Sequence, residues 1–310
     1  MEEKIEIMNL LQNKQILEQE LQSLAYGSVE IRENNSNKYI YVHYREDGVA
    51  LTKYVGEYSD ELYNLVLNNS IKAKGLKKQI REITKKLKQM NYTEEELSEK
   101  VEQNIDFAKR HLVDTIYKQA ILEGVATTFA DTENIIEGGK VNNMTSEDIL
   151  KIVNLKHAWE FILNKNVILS DTNFALLCEI NKMVEEGFYY TAGKVRNTPV
   201  TIGGTTWKPD LPIESGIKED LEGIFNKELN DVDRAIELLL YTMKKQVFID
   251  GNKRTAVIYS NHYLISKGKG IIAIPAELTQ EFKDLLIPYY EGKDEDKIRK
   301  FIKEKCYMEI

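Results

Sequence analysis

Apolar positions recur at helical steps over most of the chain. Leu10, Leu17, Leu21 and Leu24 follow one another at steps of 7, 4 and 3 between Glu and Gln, an apolar stripe on a polar rod. This predicts a helix over 3–25, ended by Gly27-Ser28. The pattern then changes. Tyr39-Ile40-Tyr41-Val42-His43-Tyr44 is a dense run of β-formers, and Asp47-Gly48 separates it from a second β-prone run, Val49 to Val55. Asp-Gly between such runs predicts a hairpin, because both turn residues take positive φ. From Asp60 to Met90 the helical period returns, with Leu76, Ile80, Ile83 and Leu87 at steps of 4, 3 and 4. Residues 1–92 therefore read as two antiparallel helices, capped by a hairpin and burying their seams against each other.

From Thr93, whose spacing to Glu96 fits a capping box, the pattern stays helical almost to the end. Expected helices cover 94–128, 147–163 (capped by Thr145 or Ser146), 172–187 (from Asp171 to Gly187), 214–228, 231–245 and 254–267, the last closed by Gly268. One stretch departs from this. Between 188 and 212, Gly193, Pro199, Gly203, Gly204, Pro209 and Pro212 punctuate Val200-Thr201-Ile202 and Thr205-Thr206-Trp207. That reads as a loop with a hairpin inserted in a helical domain, a kind of segment that usually carries function. The fold class is mainly α: a helical bundle over 93–310 with a β-hairpin flap at 188–212, preceded by a helix–β-hairpin–helix region over 1–92.

Composition narrows the function classes. The 310 residues are 42% apolar and 30% charged, as expected of a globular protein, and 42 basic against 50 acidic side chains give −8. A generic polyanion binder is normally basic, so bulk charge opposes that class. The local exception is the second helix, which carries Lys72, Lys74, Lys77, Lys78, Arg81, Lys85, Lys86 and Lys88 with Glu82 the only acid among them. It is either a solvated coiled-coil face or an arm for nucleic acid or an acidic partner. Tyr39, Tyr41, Tyr44 and Tyr54 either stack on bases or form the packing face of a small sheet. Two cysteines, Cys178 and Cys306, are too few for a disulfide scaffold and fit a reducing cytoplasm. No basic head followed by an apolar run opens the chain, and no apolar run reaches the ~18 residues of a membrane helix, so neither a signal peptide nor a membrane is expected.

The chemistry concentrates in Gln246-Val247-Phe248-Ile249-Asp250-Gly251-Asn252-Lys253-Arg254-Thr255-Ala256, a loop that opens directly onto a helix. Backbone N–H groups of Gly251 to Arg254 converge at the helix N-terminus, where the helix dipole adds positive potential. Gly251 lets backbone approach closely, Asn252 fixes the loop or donates to a phosphate, and Lys253 and Arg254 add charge suited to phosphate oxygens. Asp250, an acid in a cationic nest, is placed to hold Mg²⁺ between phosphates, and Phe248 to anchor the loop.

This run resembles the signature of the Fic (filamentation induced by cAMP) or Fido-domain family, His-x-Phe-x-Asp/Glu-Gly-Asn-Gly/Lys-Arg-x-x-Arg. Gly193-Lys194-Val195-Arg196, Pro199-Val200-Thr201-Ile202-Gly203-Gly204 and Trp207-Lys208-Pro209 resemble the family's flap, and Leu122-Glu123-Gly124 resembles the end of its inhibitory helix, here near 116–124. The resemblance covers about 110–305. It implies a Fic-like helical bundle that transfers AMP from ATP onto a hydroxyl of a target protein, with ATP and Mg²⁺ as ligands. It implies that Asp250 is the metal ligand, Gly251, Asn252, Lys253 and Arg254 the nucleotide site, Glu123 the regulatory acid, and Val200, Thr201 and Ile202 the target-positioning flap.

The chain departs from the pattern at four positions. The catalytic His falls on Gln246, which cannot take a proton near neutral pH. The second Arg falls on Val257. Lys253 followed by Arg254-Thr255-Ala256 is similar to the Doc (death on curing) branch, which phosphorylates its target, and Gln119 stands where the inhibitory pattern has Ser or Thr. No histidine substitutes: His43 and His111 precede the domain, His157 beside Trp159 reads as structural, and His262 lies more than ~10 Å along the motif helix. The expectation is a divergent member that binds nucleotide and transfers AMP weakly. The alternatives are a catalytically inactive ATP-binding regulator, a Doc-like phosphotransferase, or a DNA-associated regulator acting through the N-terminal arm. The N-terminal helices are also expected to associate copies of the chain.

Overall fold

The computed structural model describes residues 2–34, 37–46, 49–90, 92, 97–142 and 144–310. The expected Asp47-Gly48 turn and the Thr93–Glu96 capping box lie outside the described residues. The chain is mainly α-helical, and it divides into two compact units, one of residues 9–93 and one of residues 3–8 with 94–310. No helix among the described residues is long and apolar enough to cross a membrane.

Helix α1 (Glu2–Ser23) leads into strands β1 (Ser28–Asn34), β2 (Asn37–Glu46) and β3 (Val49–Glu57), and then into α2 (Asp60–Gln89). The strands form an antiparallel sheet in the order β1-β2-β3, one strand more than the expected hairpin. The extra strand has a period-2 signal, Val29 and Ile31 alternating with Glu30 and Arg32, weakened by its charges. Ile40 and Val42 on β2 are fully buried against Val66 of α2, with Val29, Val55 and Leu62 around them. The opposite face carries Tyr39, Tyr41 and Tyr54, with the Arg32 guanidinium 4.5 Å over the Tyr41 ring. Ser59 caps α2 by accepting the Leu62 N–H. Of the expected seam residues, Leu76 and Leu87 are buried, while Leu10, Leu17, Leu21, Leu24, Ile80 and Ile83 are half-buried.

In the larger unit, the expected helix over 94–128 is two helices, α3 (Glu99–Arg110) and α4 (Leu112–Leu122), with α5 (Phe129–Ile136) beyond. The break falls at His111 (φ −99°, ψ 11°), whose ring packs on Phe107 at 4.2 Å. No Gly or Pro marks it in the sequence. Helices α6 (Ser146–Ile162, capped by Thr145), α7 (Lys165–Ile168) and α8 (Phe174–Val184) follow. The cap of α8 is Asn173, which accepts the Leu176 N–H, rather than Asp171. Next come α9 (Glu214–Asn226), α10 (Asp231–Lys245), α11 (Asn252–Ser266), α12 (Thr279–Tyr290) and α13 (Glu295–Phe301), with a short antiparallel pair, β4 (Ile271–Ile272) and β5 (Tyr307–Met308).

Segment 188–212 contains no strand, so the expected hairpin there is an irregular loop. Side chains hold it instead. Arg196 donates to the carbonyls of Gln246, Thr198 and Asp210, and Trp207 stacks on Tyr290 with ring planes 9° apart.

Helix α11 is the centre of this unit and packs against α10, α8, α6 and α3; all its residues except Lys253 and Ser266 are buried. Burial on every side explains why it shows no apolar stripe, and two of its polar residues, Asn261 and His262, find their partners inside the unit. Asn261 donates to the carbonyls of Val257 and Ile272 and accepts the Ile272 N–H. His262 lies between the Thr172 hydroxyl and the Val167 carbonyl, and burial lowers its pKa to about 4, so it is neutral.

Candidate functional site

Two left-handed residues shape the loop between α10 and α11: Gln246 (φ 48°) and Gly251 (φ 72°). Glycine takes this conformation freely, whereas glutamine pays for it and must be held there. Gln246 Nε2 donates to the Met243 carbonyl at 2.6 Å, capping the end of α10, and its Oε1 accepts from Asn252 Nδ2 at 3.2 Å. Asn252 Oδ1 accepts the Phe248 N–H at 3.0 Å, and Nδ2 also donates to the Phe248 carbonyl at 2.8 Å. Both amide side chains are therefore committed to the loop, and of the two roles foreseen for Asn252 the structure assigns the first. Phe248 is buried beneath them.

Further side chains tie the loop to the body. Asn181 of α8 donates to the Asp250 carbonyl and the Thr255 hydroxyl and accepts the Gly193 N–H, joining α8, the loop and the start of the flap. Gln119 of α4 donates to the Arg254 carbonyl at 2.7 Å and accepts from Trp159 Nε1 at 2.9 Å. The residue that broke the inhibitory pattern is thus a buried strut of the site.

Gly251 is the N-cap of α11 and offers no side-chain cap, so the first-turn amides of Asn252, Lys253 and Arg254 lack intrahelical acceptors. Beside them Arg254, its side chain 3% exposed, is surrounded by acids. Its Nη2 is 2.7 Å from Glu185 Oε1 and 3.6 Å from Asp250 Oδ2, and its Nε is 3.8 Å from Glu123 Oε2. Lys253 Nζ is 3.3 Å from Glu123 Oε1. These contacts lack hydrogen-bond alignment: Arg254 Nε and Nη1, both Glu185 oxygens and Glu123 Oε1 are buried without a hydrogen-bond partner. Glu123 thus engages Lys253 and Arg254, while Val257, where the resemblance implies a second arginine, is a buried apolar position.

Glu185 is the residue that reading the sequence missed. It follows the last turn of α8 and packs its carboxylate over Gly251, so that a Cβ at 251 would run into it. Burial raises its pKa to about 7; Arg254 opposes this, and Asp250 and Glu123 reinforce it. Asp250 is half-exposed, with Oδ1 accepting the Gly251 N–H at 2.7 Å. Among the described residues no group of three or more His, Cys, Asp or Glu is placed to hold a metal ion. Val200, Thr201 and Ile202 lie on the exposed or half-buried flap. His157, expected to be structural, is solvent-exposed on α6.

Comparison with known proteins agrees with this geometry at the level of family and fold. Residues 171–264 match the model of the Fic/DOC family. No curated protein gives a significant match. Among solved structures, the chain is similar to Fic-1 (residues 134–508) from C. elegans, with a TM-score of 0.53 and 17% identity over 79% of this chain and 73% of that one. It is also similar to a Fic-domain-containing signalling protein from Bacteroides thetaiotaomicron (TM-score 0.51, 19% identity, 61% and 75% covered). A third neighbour is a Fic family protein from Desulfovibrio desulfuricans (TM-score 0.51, 13% identity, 67% and 72% covered).

Proposed function

Residues 171–264 being a Fic/DOC family domain, we propose that the chain binds a Mg²⁺-nucleotide at the N-terminus of α11 and transfers its AMP to a protein hydroxyl slowly or not at all. The observation that carries this reading is Arg254, whose Nε and Nη1 are buried without hydrogen-bond partners beside three free first-turn amides. A buried, unsatisfied guanidinium is costly unless an anion completes it. Phosphate oxygens satisfy guanidinium and amides together.

Asp250 fits a supporting role for Mg²⁺. One half-exposed carboxylate is not a metal cage, but Mg²⁺ is commonly held by one or two carboxylates plus substrate phosphates. Bound there, the ion would neutralise phosphate charge. Lys253 adds a cation at the same end of the helix, and Gly251 lets the ligand approach the backbone. Glu123 and Glu185 compete with the incoming anion for Arg254, so binding requires their rearrangement.

Gln246 supports the weak or absent transfer. Its amide is hydrogen-bonded at both ends and accepts no proton at neutral pH. Loss of a general base costs typically about 10²–10⁴ in rate. The same observation favours the second reading, a nucleotide-binding regulator without catalysis. Incubation of the protein and a lysate with ATP labelled at the α- or the γ-phosphate separates the readings. The expected result is faint α-label on protein or none, with ATP bound. Strong γ-label would replace this reading with Doc-like phosphorylation.

A further inference from the structure

We propose that the unit of residues 9–93 binds single-stranded nucleic acid along α2 and in the groove beside it. Charge is segregated in this chain. Residues 9–93 hold 13 basic against 10 acidic side chains, leaving 29 against 40 in the rest. On α2 the cations form a line: Lys74, Lys78, Arg81, Lys85 and Lys88 are all exposed and succeed one another at steps of 4, 3, 4 and 3. At 1.5 Å per residue the line runs about 21 Å along one side of the helix. Among the described residues only Lys78 of these five has an acidic neighbour, Glu82 at 4.0 Å. A line of uncompensated cations is the electrostatic footprint of a polyanion.

The groove decides which polyanion. It measures about 560 Å³ and is bounded by α1, α2, β2 and β3. Tyr26 and Tyr44 stand in it with ring centroids 5.8 Å apart, and Lys77 Nζ lies 4.6 Å over the Tyr26 ring. Lys53 and Arg81 line the same groove, with Glu18 its one acid. Aromatic faces inside a cationic groove take an unstacked base while the cations track the backbone. An acidic peptide would use the cations and leave the rings idle, and a duplex keeps its bases stacked.

The test uses the full chain and a fluorescein-labelled 20-residue oligothymidylate, followed by anisotropy at increasing salt. The expected result is binding whose log K falls linearly with log salt, with a slope of about −3 if four phosphates are neutralised. Tyr44→Ala weakens binding about fivefold or more and Tyr44→Phe restores it. Lys85→Glu with Lys88→Glu, both at exposed positions and checked for a wild-type circular dichroism spectrum, weakens binding at low salt and flattens the slope. Tyr54→Ala, on the opposite face of the sheet, leaves binding unchanged. No binding at tens of micromolar protein in low salt overturns the proposal. So does equal binding of polyglutamate or of a 20-base-pair duplex with Tyr44→Ala behaving as wild type, which would reduce the stripe to indiscriminate charge.

Discussion

At Val257 the side chain is 2% exposed and shares its packing with Gln119, Leu122 and Ile274, where no space for a guanidinium remains. Val257→Arg is therefore expected to destabilise the fold by about 1–3 kcal/mol or more, through overpacking and a buried charge, rather than to restore a phosphate contact. Chemical denaturation measures it. At Gln246 the opposite holds, because the side chain lies at the loop itself. Gln246→His is expected to raise AMP incorporation, read by intact-protein mass spectrometry, with ATP affinity changed less than several-fold. Unchanged incorporation would place the missing function elsewhere. Glu185 makes a pH prediction. Its carboxyl holds a proton up to about pH 7 in the folded protein and only to the ordinary glutamate value of about 4.5 when unfolded. The folded state thus binds the extra proton between those values, and stability falls as pH rises through that window. Glu185→Gln should flatten that fall, and a variant whose denaturation midpoint keeps the wild-type pH dependence would show that Glu185 is charged in the fold.

The element at stake is the helix pair α10–α11 with its loop and flap. Its local chemistry was legible in the sequence: Asp-Gly-Asn opening a helix and Gly268 closing it follow from short-range hydrogen bonding, as does the Thr145 cap of α6. Three features were not. His111 interrupts a pattern that stays periodic through it, so the break is set by packing on Phe107. The flap's β-prone residues pair with no strand, and the segment is held instead by Arg196, which donates to carbonyls at three places in the chain. Glu185, between Val184 and Glu186, reads as the polar end of a helix and turns inward only because α11 is there. Arg196 gives this scale its prediction. Arg196→Ala leaves three buried or half-buried carbonyls without a donor, and the flap is expected to become the first site of limited proteolysis, with cleavage between 188 and 212. Wild-type resistance in that segment would mean that Trp207 on Tyr290, Thr205 on Glu291 and Gly193 on Asn181 hold the flap without Arg196.

For the whole molecule, the division into two units makes a testable statement about independence. Residues 3–8 belong to the larger unit, and Met8 is buried in it. A fragment of residues 94–310 is expected to fold and to keep its response to ATP, melting several degrees below the full chain for want of those contacts. Failure of the fragment to fold would mean that the units share stability. The site itself lies wholly within the larger unit, with Gln119, Glu123, Asn181, Glu185 and Arg254 brought together from α4, the end of α8 and α11. Isothermal titration of the wild-type protein with ATP and Mg²⁺ tests the central claim most directly. The account predicts saturable binding of one ATP, at least tenfold weaker in Arg254→Ala and in Arg254→Gln variants that retain the wild-type circular dichroism spectrum. Absence of binding at millimolar ATP, or equal binding by folded Arg254 variants, would contradict it.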